Sequence, residues 1–567
     1  MTLTAGVLAF LLFAAPGGAA VQPGSFLEYV AICQATATAA AADACGVELA
    51  DRDVVAGIYA LRQGRPLWIL RPDAEVEIPA LIDRFADAAS HGLHPDRYDP
   101  AGLRDAAVAL GGGTPRERAA LDVALTAAVA GYTADLAGFR LQSPVREELG
   151  FVPRAGGKLE SIVVGIADGT APPSEAVETA APTSTEYADL RRLLGSWRAI
   201  VRRGGWPHID DGPTLRPGAR DARVPALRMR LAGGVADVAV EAADVYDEVL
   251  QAAVRDAQAR FGLACDGIIG PRTLAALNVP AADRLRQIEF SLERLRGLPR
   301  RLGERHVRVD LLRGTLQVVA GDTVEISMRT IIGKPERPTP VLSSRITCLE
   351  ANPYWNIPQT LAREDVLPKL QRDPGYLQQR GIRAFETWRP GAPELDTAAI
   401  DWRAIAPEQL AFKLQQVPGP ANPLGQVKFL FANPYSVYIH DTPGEYEFTL
   451  PDRFFSSGCV RVEEPVRLAQ ALLGDRYGEF TAALDSGATV SFTLPRPVPV
   501  HLVYLTAWVD GAGRPCFRDD VYGVVEEQEE AIAAGTPARN LPGADRARVD
   551  VDEPGARVVA DAAGPLR

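Results

Sequence analysis

Two pieces of sequence decide how this chain reads: Tyr438-Ile439-His440-Asp441-Thr442-Pro443 and, after a loop, Ser456-Ser457-Gly458-Cys459-Val460-Arg461. Together they place one histidine nineteen residues before one cysteine. A thiol with a reference pKa of about 8.5 is mostly protonated at neutral pH, and a nearby imidazole can take its proton. The chain holds six His and six Cys, so few such pairs can form. Cys459 is the candidate nucleophile and His440 its candidate base. A buried structural thiol is the competing reading, but a small-residue turn flanked by Ser and Arg makes a poor core.

The remaining composition bounds the setting. At 567 residues the chain is too long for one core and predicts three or four domains of about 150 residues each. Its 47% hydrophobic and 23% charged residues are ordinary for a globular protein. A net charge of -12 argues against a nucleic-acid partner. Residues 1–20 read as a secretory signal, an apolar run from Ala5 to Ala15 and then small residues to Ala20, although no Lys or Arg precedes the run. An uncleaved membrane anchor is the alternative. Export would allow Cys33 and Cys45 to pair. No CxxC or HExxH spacing occurs, so neither a metal nor a cofactor is expected.

Along the chain the hydrophobic period changes once. Helical periodicity marks 54–61, 78–89 and 119–136. His91-Gly92-Leu93-His94-Pro95 reads as a helix end with Gly in the C′ position rather than as a metal site. Residues 156–185, rich in Pro, Ala, Ser and Thr, read as a surface connection, and a helix is expected over 187–203. Residues 227–279 form a compact helical unit with a turn at Asp266-Gly267 and a break at Gly270-Pro271. From His306 the pattern alternates: 307–311 and 315–319 flank Arg313-Gly314 as a hairpin, and strands are expected over 325–332, 343–350, 426–431, 436–439, 489–494 and 500–509. Residues 361–422 interrupt these strands, with helices expected over 367–380 and 408–416, and read as a lid over a substrate. Residues 526–567 turn acidic and then Ala-, Gly- and Pro-rich, and read as a disordered tail.

With His440 upstream of Ser456-Ser457-Gly458-Cys459-Val460-Arg461, the chain resembles the L,D-transpeptidases with a YkuD-type catalytic domain. Ser457 stands where that family's motif usually has a second histidine. The stretches Gly333-Lys334-Pro335-Glu336-Arg337-Pro338-Thr339-Pro340 and Asn352-Pro353-Tyr354-Trp355-Asn356-Ile357-Pro358 are similar to its large periplasmic members. Residues 262–278 resemble a peptidoglycan-binding-like module, and Arg65-Pro66-Leu67-Trp68 with His91-Gly92-Leu93 resemble the helical scaffold domain of the same enzymes. The resemblance implies a multidomain α+β chain: a signal at 1–20, a helical scaffold domain at 27–205, a three-helix peptidoglycan-binding-like domain at 215–282, a β-rich catalytic domain at 303–523 with the lid inserted at 361–422, and a tail at 524–567.

It also implies a periplasmic enzyme acting on peptidoglycan stem peptides and glycan strands, alongside other cell-wall synthases and open to carbapenems. Cys459 would attack a tetrapeptide donor, release D-Ala, and hold a thioester that an amine of a second stem resolves as a 3→3 cross-link. His440 would move the protons, with Ser457 or Asp441 holding its ring. The N–H groups of Gly458 and Cys459 would stabilise the oxyanion. Arg461 would hold the loop or bind a substrate carboxylate. Ser456 would bind substrate or cap the turn, and Tyr354, Trp355 and Tyr435 would line the donor groove or fill the core. Asp441 is also a substrate-binding candidate. If water resolves the thioester, the enzyme is an L,D-carboxypeptidase or endopeptidase. If a protein lysine does, it anchors that protein to the wall. A non-catalytic wall-binding scaffold is the reading from another class.

Overall fold

The computed structural model describes residues 49–138, 159–231 and 244–533. The expected signal, Cys33, Cys45 and the tail beyond 533 lie outside them. The chain divides into two units.

In the first unit, a helix at Pro115–Leu136 is the centre of the core. It opens with a capping box, Thr114 with Glu117, and with Pro at its first turn. Leu121, Leu125, Val129, Tyr132 and Leu136 are buried along it at helical spacing. Asp122, also buried there, accepts the backbone N–H groups of Leu67 (2.9 Å), Trp68 (2.8 Å) and Ile69 (3.0 Å) and the Tyr59 hydroxyl (2.5 Å). The Arg65–Trp68 motif is thus a loop wrapped around a buried carboxylate. Burial pushes that carboxyl up, and the four hydrogen bonds oppose the push. His91 is buried with Nε2 3.0 Å from Glu178 Oε2, and Gly92 follows at φ 74°. Among the described residues no group of His, Cys, Asp and Glu could hold a metal ion. The expected surface connection is instead partly core: Leu159–Asp168 is a helix that buries Val163, Ile166 and Ala167.

The second unit contains a small helical module and the β domain. The module's core joins Ile209, Leu215, Val224, Leu227, Tyr246, Leu250, Val254, Ile269, Leu274 and Leu277. Buried Gln258 fixes its turn: Nε2 donates to Asp266 Oδ1 (2.8 Å) and Oε1 accepts the N–H of Gly267 (2.9 Å), which sits at φ 69°.

The β domain has strands β1 (Arg305–Asp310), β2 (Thr315–Ala320), β3 (Thr323–Gly333), β4 (Leu342–Ala351), β5 (Trp355–Asn356), β6 (Ile382–Phe385), β7 (Lys413–Gln416), β8 (Val427–Phe431), β9 (Ile439–His440), β10 (Phe454–Ser456), β11 (Val460–Val462), β12 (Val490–Val503), β13 (Ala507–Val509) and β14 (Pro515–Phe517). The large sheet runs β10-β3-β11-β9-β8-β4-β12-β1-β2, and β3 also pairs with β2, so the pairings close into a ring. Val307, Leu316, Leu349, Phe429, Ile439, Val460 and Leu502 fill its core. The strands expected over 489–494 and 500–509 divide elsewhere: β12 runs on from Val490 to Val503 with a register shift between Thr493 and Val498, where Pro495 and Pro497 cannot donate to a ladder, and the rest of the second is β13.

The inserted segment is a body of its own. β5, β7 and β6 form a three-stranded sheet over Leu367, Leu370, Leu377, Trp402, Leu410 and Leu414. Its neck is closed by Asn422, whose Nδ2 donates to Pro353 O (3.0 Å) and Val417 O (3.1 Å). The helix expected over 408–416 is replaced by a short turn of helix at Pro407–Gln409 and then β7. The tail expected to be disordered from 524 begins as a helix, Val524–Ala533, with Val524 and Gln528 buried.

Candidate active site

The strand register brings the histidine and the cysteine together. β9 pairs in parallel with β11, Ile439 opposite Val460 and His440 opposite Arg461. Cys459 therefore sits level with Tyr438 at the head of β11, and the Val460 N–H donates to the Tyr438 carbonyl (3.0 Å). His440 and Cys459 line one cavity of about 840 Å³, which also has Ser456, Ser457, Gly458, Arg461, Tyr435 and Trp355 on its wall. The inserted segment also lines this cavity, through Glu364, Asp365, Lys369, Tyr376 and Arg380.

The turn is held by its own short bonds. Ser456 Oγ donates to the Cys459 carbonyl (2.5 Å) and accepts the Gly458 N–H (3.1 Å). Gly458 has φ 113°, a backbone that favours glycine. Ser456 is thus a buried cap of the turn, the second of its two expected roles. The Gly458 N–H is already engaged and is not the free oxyanion donor expected of it.

The imidazole is oriented by neither expected side chain. His440 Nδ1 lies 2.5 Å from the backbone carbonyl of Asp441. A carbonyl only accepts, so Nδ1 carries the proton and Nε2 keeps its lone pair. The Asp441 carboxylate turns away, accepting the N–H groups of Gln426 (2.7 Å) and Thr442 (2.7 Å), and is absent from the cavity wall. Its expected place in substrate binding is corrected accordingly. Ser457 Oγ accepts from Arg337 Nη1 (3.1 Å) rather than touching the ring.

Burial sets the charge state. It pulls the His440 imidazole down to about 3, with Arg461 and Lys428 adding to the shift and the Asp441 carbonyl opposing it. It also pushes the Cys459 thiol up, against hydrogen bonds from Tyr438 and the charges of Lys428 and Arg461. The resting pair is a neutral thiol beside a neutral imidazole.

Arg461 donates to Glu447 Oε2 (2.7 Å) from the cavity wall, while its buried Nε has no hydrogen-bond partner. Tyr435 is buried in the sheet core and still reaches the wall; Trp355 is half-buried at the edge of the inserted segment; Tyr354 is exposed. Three functional neighbours escaped the sequence reading. Tyr438 hydrogen-bonds the thiol, and Lys428, opposite His440 in β8, sits 4.3 Å over the Tyr438 ring. Tyr438 had a signal, since residues i and i+2 of a strand share a face. Arg337 is the third.

Comparison with known proteins agrees with this organisation. Residues 304–499 match the model described as "L,D-transpeptidase catalytic domain", 53–194 that of "Scaffold domain", and 222–277 that of "Putative peptidoglycan binding domain". A Haemophilus influenzae protein named "Putative L,D-transpeptidase" is 34% identical over 206 residues, a match spanning 36% of this chain and 41% of the relative. Solved structures titled as L,D-transpeptidases from Xylanimonas cellulosilytica (17% identity, TM-score 0.17, covering 52% of this chain and 99% of that one) and Stackebrandtia nassauensis (14%, 0.21, 52% and 96%) are also similar, too weakly to bear on the fold. Residues 304–499 thus match an L,D-transpeptidase catalytic domain, and they follow segments that match a scaffold domain and a peptidoglycan-binding domain.

Proposed function

We propose that the protein is a peptidoglycan L,D-transpeptidase that forms 3→3 cross-links through a thioester on Cys459. The observation that carries this reading is the pairing of β9 with β11, which sets a half-buried thiol and a lone-pair-bearing imidazole on one cavity wall. In the first step the Cys459 sulfur bonds to the donor carbonyl while its proton passes to His440 Nε2. Collapse breaks the C–N bond, and the proton goes on to the departing D-Ala amine. In the second step the acceptor amine bonds to the thioester carbon, the C–S bond breaks, and a proton returns through His440 to the sulfur. Burial that keeps both groups neutral at rest favours this concerted transfer over a preformed ion pair. With the Gly458 N–H committed to Ser456, the Cys459 N–H is the donor assigned to the oxyanion.

Arg461 serves the turn through Glu447 and presents positive charge to a stem carboxylate. The two expected helical domains at 27–205 and 215–282 would hold the enzyme to the wall, and a periplasmic site of action follows from that substrate. Muropeptide analysis by mass spectrometry tests the reading. Purified protein with tetrapeptide-rich peptidoglycan should yield 3→3 dimers and free D-Ala. Tripeptides without dimers would make it a hydrolase, and no change at all would leave a binding scaffold.

A further inference from the structure

We infer that Arg337 is a positioning residue whose guanidinium latches the inserted segment to the catalytic turn and so sets how freely substrate reaches Cys459. This rests on Cys459 being the nucleophile. Arg337 Nη1 donates to Asp365 Oδ2 (2.6 Å) and to Ser457 Oγ (3.1 Å), and Nη2 pairs with Glu364. Asp365 and Glu364 belong to the inserted segment, and Ser457 lies two residues before the nucleophile. One cation thus joins the inserted segment to the catalytic turn beside the thiol.

The two sides of the latch differ in rigidity. Arg337 stands on a fixed post. The Gly333 N–H donates to Thr339 Oγ1 (2.8 Å), the Arg337 N–H to the Lys334 carbonyl (2.9 Å), and the Lys334 N–H to the Ser456 carbonyl (3.0 Å). The Tyr522 hydroxyl donates to the Gly333 carbonyl (2.7 Å). A Cβ on Gly333 would come within 2.2 Å of the Arg337 carbonyl, so this tight turn requires glycine. Glu364 and Asp365, by contrast, are half-exposed and sit on a single π-helical turn, Ala362–Val366. Such turns insert an extra residue into a helix and are frequent at functional sites. The segment that carries them has its own core and a neck closed by Asn422, so it can swing as a body. Part-exposed ion pairs are weak and are screened by salt, which makes the contact releasable.

The test is the alkylation rate of Cys459 by iodoacetamide in the full chain, resolved from the five other cysteines by peptide mass mapping. It is read at the alkaline plateau, where the thiolate fraction no longer varies. The Glu364→Gln/Asp365→Asn double variant should raise the plateau rate about threefold to tenfold, the range a weak ion-pair network can hold back. Salt should raise the wild-type rate and leave the double variant's unchanged. Glu364→Gln/Asp365→Glu, which keeps one carboxylate, should restore the wild-type rate, and the melting temperature should be the same in all three. A plateau rate indifferent to the double substitution, or a rise that the retained carboxylate does not reverse, overturns the latch. Because alkylation needs no stem peptide, a wild type that forms no cross-links yet shows the latch would sink the functional reading alone.

Discussion

The turn that carries Cys459 and the inserted segment that lines the same cavity are held by different forces. The turn is fixed by two backbone bonds, Lys334 N–H to the Ser456 carbonyl and Val460 N–H to the Tyr438 carbonyl, and by the Ser456 hydroxyl on the Cys459 carbonyl. The segment closes over its own apolar core, around Trp402, Leu370 and Leu414, and meets the turn through charged side chains on Arg337. The geometry around Cys459 is thus fixed by the sheet, whereas the inserted segment reaches it through part-exposed ion pairs. Under the proposed function, that division keeps the acyl-transfer site constant while short stem peptides on long glycan strands are admitted and released.

Substitutions on the two sides should separate accordingly. Cys459→Ala should lower cross-linking at least about 10³-fold, because the covalent step is lost, with the melting temperature unchanged; residual turnover close to wild type would show that the sheet side does not do the chemistry. His440→Asn should cost about 10²- to 10⁴-fold as the proton carrier is removed, and a variant within a few-fold of wild type would take the imidazole out of the mechanism. On the packing side, Phe429→Ala and Trp402→Ala each delete a fully buried aromatic and should cost about 3–5 kcal/mol. The first should melt the sheet. The second should melt the segment and leave Cys459 reactive to a small alkylating reagent, and hydrogen exchange showing both regions opening as one unit would break the comparison.

Smallest, for a change of one pH unit, are the effects of pH. The Cys459 thiol is pushed up, so the acylation rate should climb through and above neutral pH. His440 is pulled to about 3, so no acid limb from that imidazole should appear until about pH 4. An acid limb near 6.5 would contradict the buried neutral ring. His440 and His501, at about 3 and about 4, stay neutral in the fold. Below the ordinary histidine pKa of about 6.5 the unfolded chain takes up protons that the folded chain refuses. Stability is therefore full above that value and falls with acidification, by up to about 1.4 kcal/mol per pH unit for each group. Thermal melts across that range check the sign.

Much of the site was legible because its chemistry is local in sequence. His440, Cys459, Arg461 and the capping serine fall within one short stretch, and alternating patterns marked β1 to β4. Asp441 was misread although the sign was there: neighbours in a strand point to opposite faces, so a carboxylate beside His440 faces away from it. Arg337 carried no such signal, since its partners Asp365 and Ser457 are distant in sequence and only the fold joins them. Lys413–Gln416 follows helix-prone residues, but pairing with β6 overrides that propensity. The prolines within β12 put the apparent break near 495–499, whereas the strand runs on to Val503.

The most direct measurement is the mass of a covalent adduct. Incubation with a carbapenem followed by peptide mapping should add the drug's mass to the peptide containing Cys459, and the Cys459→Ala protein should take up none. An unmodified Cys459, or an adduct on one of the five other cysteines instead, would contradict the assignment of Cys459 as the acylated nucleophile.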